Sequence, residues 1–223
     1  MTERLPYSPT SALRRRAHRH ALTAGRVDAP PILLLFHGYS LAHTLRPLVM
    51  ARALRARGFG VVLAGRGPHV DRVRQAGFAV EDVETMPQGR MDRHVERGQY
   101  RYYDVPWIDR CVRSERRLLR QLQPALVIHD MRPTAPLSAR LEGIDDARVG
   151  QAYQQPGYPH PVRLPECFPL AAGPFDEYLA LHSDQVRPQR SFHLLADIPE
   201  FHPPGRGAPG YHYVGPLVER APV

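Results

Sequence analysis

The sequence has no lysine, no asparagine, a single tryptophan and two cysteines among 223 residues. Without asparagine there is no acceptor for N-linked glycosylation. The longest apolar run, Ile32–Phe36, is the length of a strand, far short of the roughly 20 residues of a bilayer-spanning helix. Arg14, Arg15 and Arg16 lie near the start, but no apolar segment follows them, so no secretory signal is read there. Together these absences point to a cytoplasmic protein. Cys111 and Cys167 are too far apart for a metal or redox spacing and read as free thiols. His18 and His20 have no third ligand nearby, so no metal is expected. The segment His37–His43 has one glycine, Gly38, where a phosphate cradle needs several. No nucleotide cofactor is expected there, and no serine elbow or Cys/His pair stands out.

What the chain does have is arginine. The net charge is +8 and every basic residue besides histidine is Arg, a bias that suits a GC-rich genome. Such a chain attracts anions in general, but no nucleic-acid motif accompanies the charge. Hydrophobic content of 43% and charged content of 23% are ordinary for a globular protein, and the length suits one sizeable core. Residues 1–29 read as a basic arm. Within it, Ala12–Ala24 has the makings of a short helix with a thin apolar face. A solvated arm and a docking helix for an acidic partner or membrane surface both remain open.

From Pro30 the pattern alternates. Ile32–Phe36 reads as a strand buried on both faces. A polar loop and a helix over His43–Arg57 follow, with Pro47 tolerable only in the first turn and Gly58 as the stop. Val61–Ala64 and Phe78–Val83 read as strands flanking a short helix, Pro68–Ala76; Gly65-Arg66-Gly67 reads as a tight structural turn. Glu84–Tyr103 reads as a long loop with some helix. Trp107, Ile108, Cys111, Val112, Leu118, Leu119 and Leu122 then recur at helical spacing. Arg113, Arg116, Arg117 and Arg120 fall on the other side, read as a solvated face. Ala125–His129, Arg148–Ala152, Phe192–Ala196 and Tyr211–Val214 complete the strands. Helices are expected over Pro133–Leu141 and Phe175–Gln189, and Pro-rich loops over Tyr153–Pro174 and Pro199–Pro209. The reading is α/β: a Rossmann-like, doubly wound, mostly parallel sheet over residues 30–217.

In such a sheet ligands bind beyond the carboxyl ends of the strands, where strand order reverses. With the order 3-2-1-4-5, strands 1 and 4 meet there. The loop after strand 1 carries His37 and His43, and the end of strand 4 carries His129 and Asp130. A histidine and a carboxylate from distant parts of the chain are therefore expected in one crevice. A carboxylate on one ring nitrogen raises the basicity of the other, which makes a general base.

Four segments carry a resemblance. His37–Val61 holds a His at the helix start, then Arg46-Pro47, then Arg57-Gly58. Pro124–Ile144 has a strand, a terminal Asp and a small-residue helix. Tyr153–Pro165 is a loop after the fifth strand. Leu195–Pro216 carries Ala196-Asp197-Ile198-Pro199-Glu200 and Tyr213-Val214-Gly215-Pro216. In this order they resemble the N-terminal, acceptor-binding domain of GT-B glycosyltransferases of the UDP-glycosyltransferase and macrolide glycosyltransferase type. The resemblance implies that His43 deprotonates an acceptor hydroxyl, that Asp130 orients His43, and that inversion follows without a metal. It implies further that His37, Tyr39, Trp107, Tyr153 and Tyr158 line a pocket for a small, natural-product-like acceptor. Residues 218–223 would begin an interdomain linker. No donor-binding domain is recognised, so the nucleotide-sugar would sit on a separate subunit. An auxiliary binding module and a truncated fragment are the alternatives.

Overall fold

The computed structural model describes residues 29–97, 103–151, 173–197 and 210–218. The expected arm, apart from Ala29, and the expected linker, apart from Val218, lie outside these residues.

The strands are β1 Ile32–His37, β2 Val61–Arg66, β3 Val80–Glu81, β4 Leu126–Asp130, β5 Asp146–Gly150, β6 Ser191–Leu195 and β7 Tyr211–Tyr213. The helices are α1 Leu41–Ala56, α2 Val70–Gln75, α3 Gln88–Glu96, α4 Val105–Leu122, α5 Ala135–Glu142 and α6 Gly173–Leu181, with a 3-10 turn at Ser183–Gln185. They form one sheet in the order β3-β2-β1-β4-β5-β6-β7, and every pairing is parallel. The expected order around strands 1 and 4 holds, and two further strands extend the sheet beyond β5.

β1 sits at the centre because it is apolar on both sides. Ile32, Leu34 and Phe36 pack with Leu48, Ala51, Val70 and Val73 of α1 and α2. Leu33 and Leu35 pack with Leu118, Leu119 and Ala135 of α4 and α5 on the opposite face. Side chains alternate between faces along a strand, so a run with no polar member needs a helical layer on each side.

Several boundaries differ from the sequence reading. α1 begins at Leu41, which puts Pro47 inside the helix rather than in its first turn. Pro47 has no N–H to offer the His43 carbonyl one turn back. Only Val80–Glu81 of the expected third strand pairs with its neighbour. The helix expected to run to Gln189 stops at Leu181, and His182 bonds the Tyr178 carbonyl with its own ring nitrogen at 2.9 Å. Of the four arginines expected on the solvated face of α4, Arg116 is half-buried and donates to Glu142 at 2.6 Å and to Gln185 at 2.9 Å. α4 is capped at its start by Asp104, which accepts from the Trp107 backbone N–H at 2.8 Å.

The loops after β1 and β2 cross closely. Gly38 N–H donates to the Arg66 carbonyl at 3.2 Å, and a Cβ on Gly38 would lie 2.7 Å from that oxygen. Gly67 has φ +142, and a Cβ there would run into the Gly38 backbone. Gly65 and Arg66 close β2 rather than forming a turn; the turn comes at Gly67, and its crossing with Gly38 is structural and fixes the height at which β1 hands over to α1. A Gly67→Ala substitution should cost at least about 1–3 kcal/mol from backbone strain alone, read as a lower urea midpoint. An unchanged midpoint would contradict the tight crossing.

Candidate functional site

Sheet order reverses between β1 and β4. The loop after β1 turns directly into α1, with Ser40 in extended geometry at the cap (φ −117, ψ 131). His43 and Arg46 follow three residues apart, so they share one face of the first turns. Asp130 is the last residue of β4, in register with Phe36, and therefore points to the α1 face. His43 Nδ1 lies 2.8 Å from Asp130 Oδ1, across 87 residues of chain. The carboxylate is 1% exposed and the imidazole 27% exposed. The expected meeting of a histidine and a carboxylate thus occurs between His43 and Asp130.

A third member was not anticipated. Arg46 grips both carboxylate oxygens, with Nε 2.8 Å from Oδ2 and Nη2 2.8 Å from Oδ1. Its Nη2 also lies 2.6 Å from His43 Nδ1. Its spacing from His43 on the helix was the available signal.

The neighbouring histidines take other places. His129 precedes Asp130 and points to the opposite face. There it lies 2.9 Å from Asp146 Oδ2, both groups 2% exposed, and Ser191 Oγ donates to the other Asp146 oxygen at 2.6 Å. His129 is a buried structural group and is not in the crevice with His43. His37 also faces that side. Its Nε2 lies 3.0 Å from the Met86 carbonyl. A carbonyl only accepts, so Nε2 carries the proton and Nδ1 of the neutral ring is an acceptor. Nδ1 has no protein partner among the described residues. His37 lines a narrow cavity together with Thr85, Met86, Tyr103, Cys111, Met131 and Arg132. Burial lowers the His37 pKa from its ordinary value, and the Arg132 and His43 charges push the same way, against the Met86 bond and Asp130.

Tyr39 packs its ring against His37 with centroids 5.5 Å apart. Trp107 stands behind this cavity, packed with Met86 and Cys111, and its two neighbours Arg90 and Arg110 lie 5.0 and 3.9 Å from its ring centroid. Tyr153 and Tyr158 lie outside the described residues. Cys111 is buried and burial pushes its thiol up to about 12, which keeps it an unreactive wall residue.

Below the cavity lies a buried ion pair that no local sequence pattern announces. Glu115 is wholly buried. Its Oε1 accepts from Arg132 Nη2 at 2.6 Å, Arg132 Nε at 3.1 Å and Thr134 at 2.8 Å, and its Oε2 accepts from Ser138 at 2.5 Å. Arg132 further donates to Thr85 Oγ1 at 2.6 Å and to the Glu84 carbonyl at 2.8 Å. Between Asp130 and Arg132, Met131 takes a left-handed backbone (φ 50) and is 41% exposed. The two flanking side chains are thereby sent to opposite faces of the sheet.

No protein-family profile matches the chain. A PGL/p-HBAD biosynthesis rhamnosyltransferase of Mycobacterium tuberculosis is 27% identical over 135 residues, 60% of this chain and 30% of that protein. An inactive PGL/p-HBAD biosynthesis glycosyltransferase of Mycobacterium bovis is 26% identical over the same share, 37% of its length. The chain thus spans about a third of the length of the curated relatives it matches. Among solved structures, the glycosyltransferase SnogD from Streptomyces nogalater superposes with a TM-score of 0.54 at 21% identity, over 82% of this chain and 50% of that one. The calicheamicin glycosyltransferase CalG4 gives 0.56 at 16%, over 83% and 53%. The chain is related in sequence to glycosyltransferases and folds as a GT-B glycosyltransferase-like domain.

Two consequences of this geometry are measurable. Glu115→Gln leaves Arg132 buried without its counter-charge and should cost about 3–5 kcal/mol; a change under 1 kcal/mol in urea unfolding would contradict the pairing. His37 is neutral when folded and binds a proton on unfolding below its ordinary 6.5. Its contribution is therefore whole above that pH and is lost as pH falls towards the depressed native value. His37→Gln should flatten the fall in urea midpoint between pH 7.5 and 5.5; an identical slope in the variant would count against it.

Proposed function

We propose that this domain is the acceptor side of an inverting, nucleotide-sugar-dependent glycosyltransferase acting on a hydroxyl of a small, natural-product-like molecule. The observation that carries the reading is the 2.8 Å contact between His43 and Asp130 at the strand-order reversal. In the working form Nδ1–H donates to Asp130, which leaves the Nε2 lone pair for the substrate. The acceptor hydroxyl gives its proton to Nε2. Its oxygen bonds to the anomeric carbon as the bond from that carbon to the nucleotide diphosphate breaks, and the configuration inverts. Asp130 stabilises the imidazolium that forms.

The donor is held by a donor-binding domain facing the carboxyl ends of β1 and β4. His37 belongs to the acceptor pocket: because its free nitrogen only accepts, it favours molecules that present an O–H or N–H. Tyr39, Trp107, Tyr153 and Tyr158 are assigned to the same pocket, Trp107 as a residue of its supporting layer. A non-catalytic module is the second reading, supported by the likeness to a glycosyltransferase named as inactive.

The test is glycosyl transfer by this domain together with a donor-binding domain. His43→Ala should lower turnover about 10²–10⁴-fold while acceptor affinity stays within a few fold. Undiminished turnover would remove His43 from the chemistry, and no turnover by the wild-type pair would favour the non-catalytic module.

A further inference from the structure

The contacts around His43 cannot all be satisfied at once. Nδ1 lies 2.8 Å from a carboxylate oxygen and 2.6 Å from a guanidinium nitrogen. In a neutral imidazole, Nδ1 has either a proton or a lone pair. With a proton, it donates well to Asp130 but confronts the N–H of a cation at the shorter distance. With a lone pair, it accepts from Arg46 and confronts the carboxylate.

The carboxylate itself tips the choice. Both of its oxygens are already held by the Arg46 fork, a bidentate pairing that meets its charge without His43. Arg46 is 13% exposed and Asp130 1% exposed, so little water screens the cation from the ring. The lone-pair form is then favoured at Nδ1, and the proton sits on Nε2. That form cannot accept a proton from an acceptor hydroxyl.

We propose that Arg46 holds His43 in the tautomer that is not a base, and that an anionic diphosphate in the crevice draws the guanidinium off Nδ1 and restores the base. Arg46 is thus a positioning residue that ties deprotonation of the acceptor to the presence of the donor. A planar guanidinium fork pairs with phosphate oxygens as readily as with a carboxylate, and the exchange makes and breaks no covalent bond except the move of one proton between ring nitrogens. The inference rests on the function proposed above for its biological meaning, but the tautomer itself does not depend on any activity.

The experiment is long-range ¹H–¹⁵N NMR of the full chain labelled at histidine, with His43 assigned by comparison with His43→Gln. In the free wild-type domain Nδ1 should be unprotonated and Nε2 protonated. Arg46→Met should protonate Nδ1. Arg46→Lys, which keeps a cation near Asp130 but loses the fork, should do the same and serves if the methionine variant does not fold. Inorganic pyrophosphate, the probe for the donor's diphosphate, should protonate Nδ1 in the wild type. A proton on Nδ1 in the free wild type, or an unprotonated Nδ1 in folded Arg46 variants, would overturn tautomer control by Arg46. No response to pyrophosphate would overturn the coupling to an anion. Glycosyl transfer failing while these signals behave as stated would count against the function alone.

Discussion

A carboxylate buried at the end of the central strand dominates this structure. Asp130 is 1% exposed, and an ionised carboxylate is tolerated there only if its charge is met by partners with good geometry. Those partners come from α1, so the helix is drawn over the end of β4 with its first turns facing the carboxylate. Arg46 supplies the fork and His43 the third contact. The loop crossing at Gly38 and Gly67 lets the chain turn sharply enough after β1 to place them. The strand order, the short loop and the buried charge all lead to the same crevice.

The two faces of the sheet solve the same problem differently. On the α4 face, Glu115 and Arg132 are surrounded by three hydroxyl groups and a backbone carbonyl, and each group has its hydrogen bonds made. That network is closed. On the α1 face, a carboxylate and a guanidinium both press on one ring nitrogen of His43, and one of the two contacts is left unfavourable. A satisfied network holds one arrangement, whereas an over-subscribed one can change arrangement when a partner is drawn away.

Much of this was legible in the sequence. The apolar run Ile32–Phe36 announced a strand buried on both sides, and the alternation of strands and helices announced a parallel sheet. Topology then called for a histidine and a carboxylate to meet at the strand-order reversal, and the resemblance picked out His43 and Asp130, 87 residues apart. The same argument put His129 beside Asp130 at the strand end without choosing between faces; consecutive strand residues face opposite ways, so only one of the two can reach α1. Arg46 was read as part of a resemblance rather than as a partner. A charged helix residue gives no sign of what it will meet until the facing strand is known. Glu115 and Arg132 come from different elements joined by tertiary packing, so no spacing rule finds them. Arg116 looked solvated for a similar reason: its partner Glu142 belongs to α5.

Pro47 carries a consequence for how the molecule assembles. It removes the helical hydrogen bond that would tie the His43 carbonyl to the rest of α1. The first turn keeps its own bonds from Thr44 to the Ser40 carbonyl but has one link fewer to the stretch that follows. Asp130, at the end of β4, adds a long-range anchor to that turn. Contacts of such long sequence separation form late because the intervening loop must close first. The ordering of the turn that bears the candidate base is thereby tied to the pairing of β4 with β1 as well as to helix formation. Backbone amide exchange in that turn should track the pairing of the two central strands as well as the stability of the helix to which it belongs.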